Sequence, residues 1–390
     1  MIIKRHTPVR RTAIRRRLIF FLVLAGLWIS LCPCNAARAA CEFLSVDGPC
    51  HFTFPADHGP HPGYRTEWWY YTGNLESDAR RHYGFQLTFF RIQTSPTCQN
   101  DEWVDRPSAW RTNQIYFAHA AVTDVDNQKH YQAQAAARNA LGLSGVSLEE
   151  DRVTIFLTKW RAVIESRAHR LSAQTPDFGF ELQLTPFKPP VSHGQDGYSR
   201  KGSSPRRASC YYSFTRLGTE GHLRMGNETI DVRGLSWMDH EYSTAPLEPG
   251  IVGWDWFSLQ LSDQTELMMF LLRKGDGTTH PASSGTFVNA KAEIQHLKSH
   301  QFSIRVHDNW LSPSTRARYP SHWNIRIPSE GLILDVQHTV ADQEMQTHAT
   351  TGVTYWEGSV SAQGTRREQA VSAWGYVEMT GYDKSFDAPL

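Results

Sequence analysis

The chain has 390 residues, 40 of them Lys or Arg and 39 Asp or Glu, for a formal charge of +1. Eight of the basic residues and none of the acids lie in residues 1–39, so the remainder carries 32 basic against 39 acidic side chains, about −7. That balance excludes nucleic-acid or anionic-membrane binding driven by charge, and the length exceeds one ordinary core, so two domains are expected.

In chain order, a basic run from Lys4 to Arg17 leads into LIFFLVLAGLWISL, and Ala37-Arg38-Ala39 offers a small-x-small cleavage site. Residues 1–39 therefore read as a cleaved export signal, since the apolar run is shorter than the ~20 residues a membrane span needs. The mature protein is expected in the periplasm or outside the cell. Cys41, Cys50, Cys98 and Cys210 remain, an even count that suggests disulfides in an exported chain. Of the three connectivities, Cys41 with Cys50 and Cys98 with Cys210 is expected, for its short first loop.

Strand signals dominate the rest of the chain. Phe85, Leu87 and Phe89 alternate with Gln86 and Thr88, as do Val153, Ile155 and Leu157, then Phe178 to Leu184, then Leu332 to Val336, each run ending in turn residues. Tyr131 to Ala140 is the best candidate for an amphipathic helix, with a strand as the alternative. Lys188 to Ser209, rich in Pro, Gly, Ser and charge, reads as a long ordered loop or inter-domain crossing. EWWYYTGNL with YGFQLTFFR (67–75, 83–91) has a partner in GWDWFSLQL with ELMMFLLR (253–261, 266–273). Trp68 then pairs with Trp254, Tyr70 with Trp256 and Arg91 with Arg273, as duplication of a barrel domain would produce. The expected boundaries are 42–235 and 236–390.

Common catalytic signatures (GxSxG, P-loop, HExxH, GxGxxG) are absent. The densest group of acids, imidazole and rings is Trp237-Met238-Asp239-His240-Glu241-Tyr242 followed by Gly253-Trp254-Asp255-Trp256. If 237–242 is a strand, His240 and Tyr242 share one face and Asp239 and Glu241 the other. Asp255 shares the face of Phe257, Leu259 and Leu261, so a barrel that turns those inward buries the acid. Glu67 lies on the face of Trp69 and Tyr71. Asp57, His58 and His61 in a Pro/Gly loop are expected to be structural rather than metal ligands.

DHGPHPGYRTEWWYYTGNL, KPPVSHGQDGYSRKG, GLSWMDHEYS, GWDWFSLQL, YWEGSV and GYVEMTGY resemble the AttH-like and carotenoid 1,2-hydratase-like family, in order from Asp57 to Tyr382. The resemblance implies an all-β chain of two packed lipocalin-like antiparallel β-barrel domains. It also implies acid–base residues at His240, Tyr242 and Asp255, with Tyr242 where the family has Trp. The expected catalytic set is Asp255, His240, Tyr242 and Asp239; the expected ligand-binding set is Trp254, Trp256, Glu67, Trp69, Tyr71 and Trp237. The leading expectation is binding of a hydrophobic small molecule, an isoprenoid or lipid, in association with ABC transporter components. The alternative is a hydratase or isomerase needing no metal or organic cofactor. There Asp255 protonates an alkene carbon, Trp254 or Trp256 steadies the cation and His240 orients water.

Overall fold

The computed structural model describes residues 41–99, 108–245 and 247–386; the expected signal over residues 1–39 lies outside them. The regular structure of the compact unit from Glu42 onward is, among the described residues, almost entirely antiparallel strand. One sheet runs, edge to edge, Lys129–Arg138, Gln114–Asp124, His82–Gln93, Thr66–Ser77, Glu228–Ser243, Ala208–Met225, Phe178–Pro186, His169–Gln174, Trp160–Glu165, Arg152–Leu157 and Ser144–Glu149. It curls into a nearly closed barrel, with the Ser144 hydroxyl donating to the Ala137 carbonyl (3.2 Å) where its edges meet. The second sheet runs Ile294–Lys298, Ser284–Val288, Glu266–Lys274, Ile251–Leu261, Gln369–Thr380, Thr354–Arg366, Leu332–His338, Arg318–Ile327 and Ser303–Leu311, and forms a half-barrel. The chain is thus all-β, with two packed barrel domains.

Period-two alternation decides what each strand buries. Trp69, Tyr71, Phe85, Leu87 and Phe89 point into the first barrel, and Phe257, Leu259, Leu261, Leu267 and Met269 into the second. The repeat is real as a pair of hairpins: Trp68 faces Phe90 across the first, and Trp256 faces Phe270 across the second. The opposite faces of both hairpins meet. Tyr70, Tyr211, Trp237, Trp256, Met268, Phe270, Leu272 and Tyr376 form a third apolar layer between the sheets, with Trp68 and Trp254 packed against it. Strands buried on both faces read as near-continuous apolar runs, which is why WWYY carries no polar side.

The layer is pinned by polar crossings. Asn74 Nδ2 donates to the Gly375 carbonyl (3.0 Å), and Gln260 Nε2 to the carbonyls of Thr215 (2.8 Å) and Ser236 (2.9 Å). Gly84 must lack a side chain here, because a Cβ would lie 2.6 Å from Tyr376 Oη and 3.0 Å from Ser359 Cβ. The Lys188–Ser209 segment is an ordered crossing, holding the short strands Val191–Ser192 and Tyr198–Arg200 against the Ala208–Met225 strand. Its Lys188 reaches the buried Glu266 of the second sheet (2.7 Å), which Arg216 also contacts.

Three expectations are corrected. Residues 129–138 form a strand rather than a helix, because the alternating residues Tyr131, Ala133, Ala135 and Ala137 pack on the first core. The boundary at 235/236 falls inside the Glu228–Ser243 strand, so Asp239, His240 and Tyr242 belong to the first sheet; the second starts at Ile251. Cys50 is bonded to Cys210, not to Cys41, because the N-terminal segment folds back along the Ala208–Met225 strand and brings the two Cα atoms to 5.8 Å.

Candidate functional site

A cavity of about 150 Å³ lies in the layer between the sheets. Its walls carry Trp68, Tyr70, Phe90, Tyr211, Trp254, Trp256, Phe270 and Tyr355 together with four carboxylates, Asp239 and Glu241 from the first sheet and Glu357 and Glu378 from the second. A larger groove, about 820 Å³, crosses the outside of the first barrel past Arg161, Arg170, Glu181 and Arg233. It is an open surface rich in charged side chains and without a Phe, Tyr or Trp, so chemistry that must exclude water belongs to the smaller space.

Asp239 is reached by three donors. Tyr211 Oη lies 2.6 Å from its Oδ2, Trp237 Nε1 2.6 Å from its Oδ1, and the Ser213 hydroxyl contacts Oδ1 as well. Trp256 Nε1 donates in turn to Tyr211 Oη (3.1 Å). Behind Ser213, His193 Nε2 lies 2.6 Å from the Ser213 hydroxyl and His193 Nδ1 2.8 Å from that of Thr286. Burial pushes the Asp239 carboxyl up to about 7 despite these donors, leaving a group that changes charge near neutrality.

The opposite wall holds a matched pair. Glu357 accepts from Tyr70 Oη (2.6 Å) and Glu378 from Trp254 Nε1 (3.0 Å), and in each the other carboxylate oxygen has no hydrogen-bond donor among the described residues. Burial and then the nearby acids Asp239, Glu241 and Asp255 push Glu378 up to about 7, the Trp254 bond opposing. Burial and the neighbouring Glu378 place Glu357 well above the usual carboxylate range. Glu241 differs, because Lys201 Nζ pairs with it at 3.1 Å while lying 3.9 Å over the Phe270 ring.

The expected site residues separate into three places. Asp239, Trp254 and Trp256 line the cavity, and Trp237 holds Asp239 from behind. His240, Tyr242, Glu67, Trp69 and Tyr71 occupy the other face of their strands, in and at the end of the first barrel, because period two turns them away. There Glu67 accepts from Arg91 Nε (2.7 Å) and touches His61 Nδ1 (2.7 Å) and His240 Nε2 (2.9 Å). His61, stacked on Tyr242, also bonds Asp57 (3.0 Å), and His240 meets Tyr212 Oη (2.9 Å) under the Trp69 ring. His61, His240 and Glu67 offer ligand atoms within 4.8 Å of one another, the spacing of a cation site. Arg91 already occupies that carboxylate. Although burial works against its charge, hydrogen bonds to Asp57 and Glu67 raise His61 to about 9.

Asp255, expected as the proton donor, does not line the cavity. It is buried on the inner face of the second barrel, bonded to Arg273 Nε (2.9 Å) and Tyr382 Oη (3.1 Å). Arg273 thus holds Asp255 as Arg91 holds Glu67, each inside its own barrel. Sequence reading missed Glu357, Glu378, Tyr70, Tyr211 and Lys201. The available signal was an acid set between apolar neighbours, Trp356-Glu357-Gly358 and Val377-Glu378-Met379.

A family profile described as AttH-like matches residues 45–382. The crystal structure of an AttH protein from Nitrosomonas europaea is similar at TM-score 0.76 and 31% identity, over 87% of this chain and 100% of that one. Dehydratase asqC of Emericella nidulans is 24% identical over 54% of this chain and 60% of its own length. Kievitone hydratase of Fusarium solani subsp. phaseoli is 25% identical over 39% of this chain and 43% of its own. The crystal structure of kievitone hydratase from Nectria haematococca shares the fold at TM-score 0.62 and 14% identity, over 88% of this chain and 96% of that one. The aligned region spans less than two thirds of each of the two curated relatives.

Proposed function

This chain belongs to the AttH-like family, and on that premise we propose that it adds water to, or removes it from, a carbon–carbon bond of an apolar molecule held between its two sheets. The observation that carries the reading is the placement of titratable acids on both walls of one ring-lined cavity. Relatives named as a dehydratase and a hydratase support it. A carrier of apolar ligands needs the rings but not the acids, whose burial is costly unless it serves a purpose.

In hydration, Glu378, neutral over much of the range below pH 7 and coupled to Glu357, gives its proton to one alkene carbon. The faces of Trp68, Tyr70, Trp254 and Trp256 stabilise the positive charge that forms on the other carbon. Asp239, held by Tyr211, Trp237 and Ser213, takes a proton from water as its oxygen bonds to that carbon. Dehydration is the reverse: Asp239 protonates the departing hydroxyl and Glu378 removes the C–H proton. Two acids with values near neutrality on opposite walls suit an acid and a base working at one pH.

The test incubates the purified protein with apolar extracts of the source cells in isotopically heavy water and follows products by mass spectrometry. A species gained or lost by one water, carrying the heavy oxygen when gained, is expected, with turnover falling at least ~100-fold in Glu378→Gln and in Asp239→Asn. Full turnover in the double variant would overturn the reading.

A further inference from the structure

Gln86 is 1% exposed, lines the cavity, and has an Oε1 with no hydrogen-bond partner. A buried carbonyl oxygen left unpaired is costly, so the orientation of its amide matters. That orientation follows from donor counting along a chain of bonds that begins at a backbone carbonyl, which can only accept.

Gln134 Nε2 donates to the Gln346 carbonyl (2.9 Å), which turns Gln134 Oε1 toward Thr350 as an acceptor at 2.8 Å. With its proton so used, the Thr350 oxygen accepts from His119 Nε2 (2.9 Å). Burial lowers His119 to about 3, so the ring is neutral and its Nδ1 accepts from Tyr355 Oη (2.8 Å). The phenol oxygen, its proton also spent, is left to accept from Gln86 Nε2 (3.5 Å), whose other hydrogen goes to Thr88 Oγ1 (3.1 Å). Every proton in the relay points one way. Gln86 Oε1 stands at its end as an acceptor without a protein donor among the described residues, on a side chain that lines the cavity.

The charges around that space narrow the occupant further. Lys201 is the one Lys or Arg among the described lining residues, and Glu241 already pairs with it. Three further carboxylates line the same walls. A ligand carboxylate or phosphate would meet acids on every side and no unpaired cation.

We infer that the cavity takes an uncharged, flat or conjugated molecule bearing a hydroxyl group, and that Gln86 Oε1 reads this hydroxyl as a specificity determinant, anionic molecules being rejected. The inference rests on the reading of this cavity as the reactive site and names its substrate class. Gln86 sets which molecule is held; the acids act on it.

Calorimetric titration at neutral pH with naphthol, methoxynaphthalene and naphthoate separates the two ideas, because it measures binding without turnover. Naphthol is expected to bind at least ~10-fold more tightly than methoxynaphthalene, since a site with a buried polar group rejects the analogue that leaves it unpaired, and at least ~10-fold more tightly than naphthoate. Gln86→Leu should erase the preference for naphthol over methoxynaphthalene without weakening methoxynaphthalene. Tyr355→Phe, which removes the oxygen that fixes the amide, should reduce it as well. Glu378→Gln should keep the preference while losing turnover. Equal binding of naphthol and either analogue, binding of none of the three, or a full preference in both Gln86→Leu and Tyr355→Phe would overturn the assignment. A preference that persists where no variant of the acids alters turnover would instead sink the hydration reading and leave the ligand class standing.

Discussion

Glu357 and Glu378 stand directly opposite one another on neighbouring strands, the first buried and the second half-buried, without a cationic partner among the described residues. Residues so placed have Cβ atoms about 5 Å apart, and like charges at that separation, out of water, keep at least one proton between them.

That proton has a consequence for stability. Burial, and then the neighbouring acids, raise Glu378 to about 7 from its ordinary 4.5, so between those values the folded state binds a proton that the unfolded chain has released. The contribution of Glu378 to stability therefore falls as pH rises from about 4.5 to about 7 and is constant above. Glu378→Gln should melt a few degrees above the wild type near pH 8 and match it near pH 4. An unchanged difference across that range would show that the acid is not held neutral.

The Tyr211 donor bears on rate. Its hydrogen bond favours the ionised form of Asp239, so Tyr211→Phe should move the rising limb of the pH–rate profile to higher pH, with a loss at neutral pH. A pH-independent loss would mean that Tyr211 serves only to shape the cavity.

Asp255 should behave as a structural group. Asp255→Ala strands the Arg273 guanidinium, whose side chain keeps only 20% of its exposure, and is expected to cost about 3 kcal/mol in denaturant titration. Turnover per folded molecule should stay within a few-fold of the wild type. Loss of turnover at unchanged stability would return Asp255 to the chemistry.

Gly84 tests the packing of the two sheets. Gly84→Val places carbon where Tyr376 and Ser359 already lie, and overpacking of this kind costs about 1–3 kcal/mol. Activity should fall as well, although no group lining the cavity is altered, because the walls are forced apart. A variant as stable and active as the wild type would show that the seam is compliant.

The fold was largely legible in the residues. Alternation in Phe85 to Phe89 and the correspondence of Trp68 with Trp254 and Tyr70 with Trp256 pointed to two barrels, and those four rings do share one layer. Alternation also separated Asp239 and Glu241 from His240 and Tyr242. Which of those faces held the cavity was not legible, since the Glu228–Ser243 strand is buried on both sides and period two alone cannot rank two interiors. Glu357 and Glu378 went unnoticed for a related reason: each stands in a separate motif more than a hundred residues from Asp239, and only strand pairing followed by sheet packing brings them to it. Asp255 looked reactive because its partner Arg273 lies on the next strand, where chain order does not show the ion pair.

The Cys50–Cys210 bond ties the N-terminal segment to the residue immediately before Tyr211 and closes a stretch of 160 residues, a constraint worth up to about 5 kcal/mol in chain entropy. Reduction would act on Asp239 from behind, loosening the strand that delivers its phenolic donor while leaving every cavity side chain in place. Protein made in a thiol-reducing compartment and protein made in an oxidising one should therefore differ in the rigidity of the base, and a thiol titration would distinguish the two preparations before any substrate is in hand.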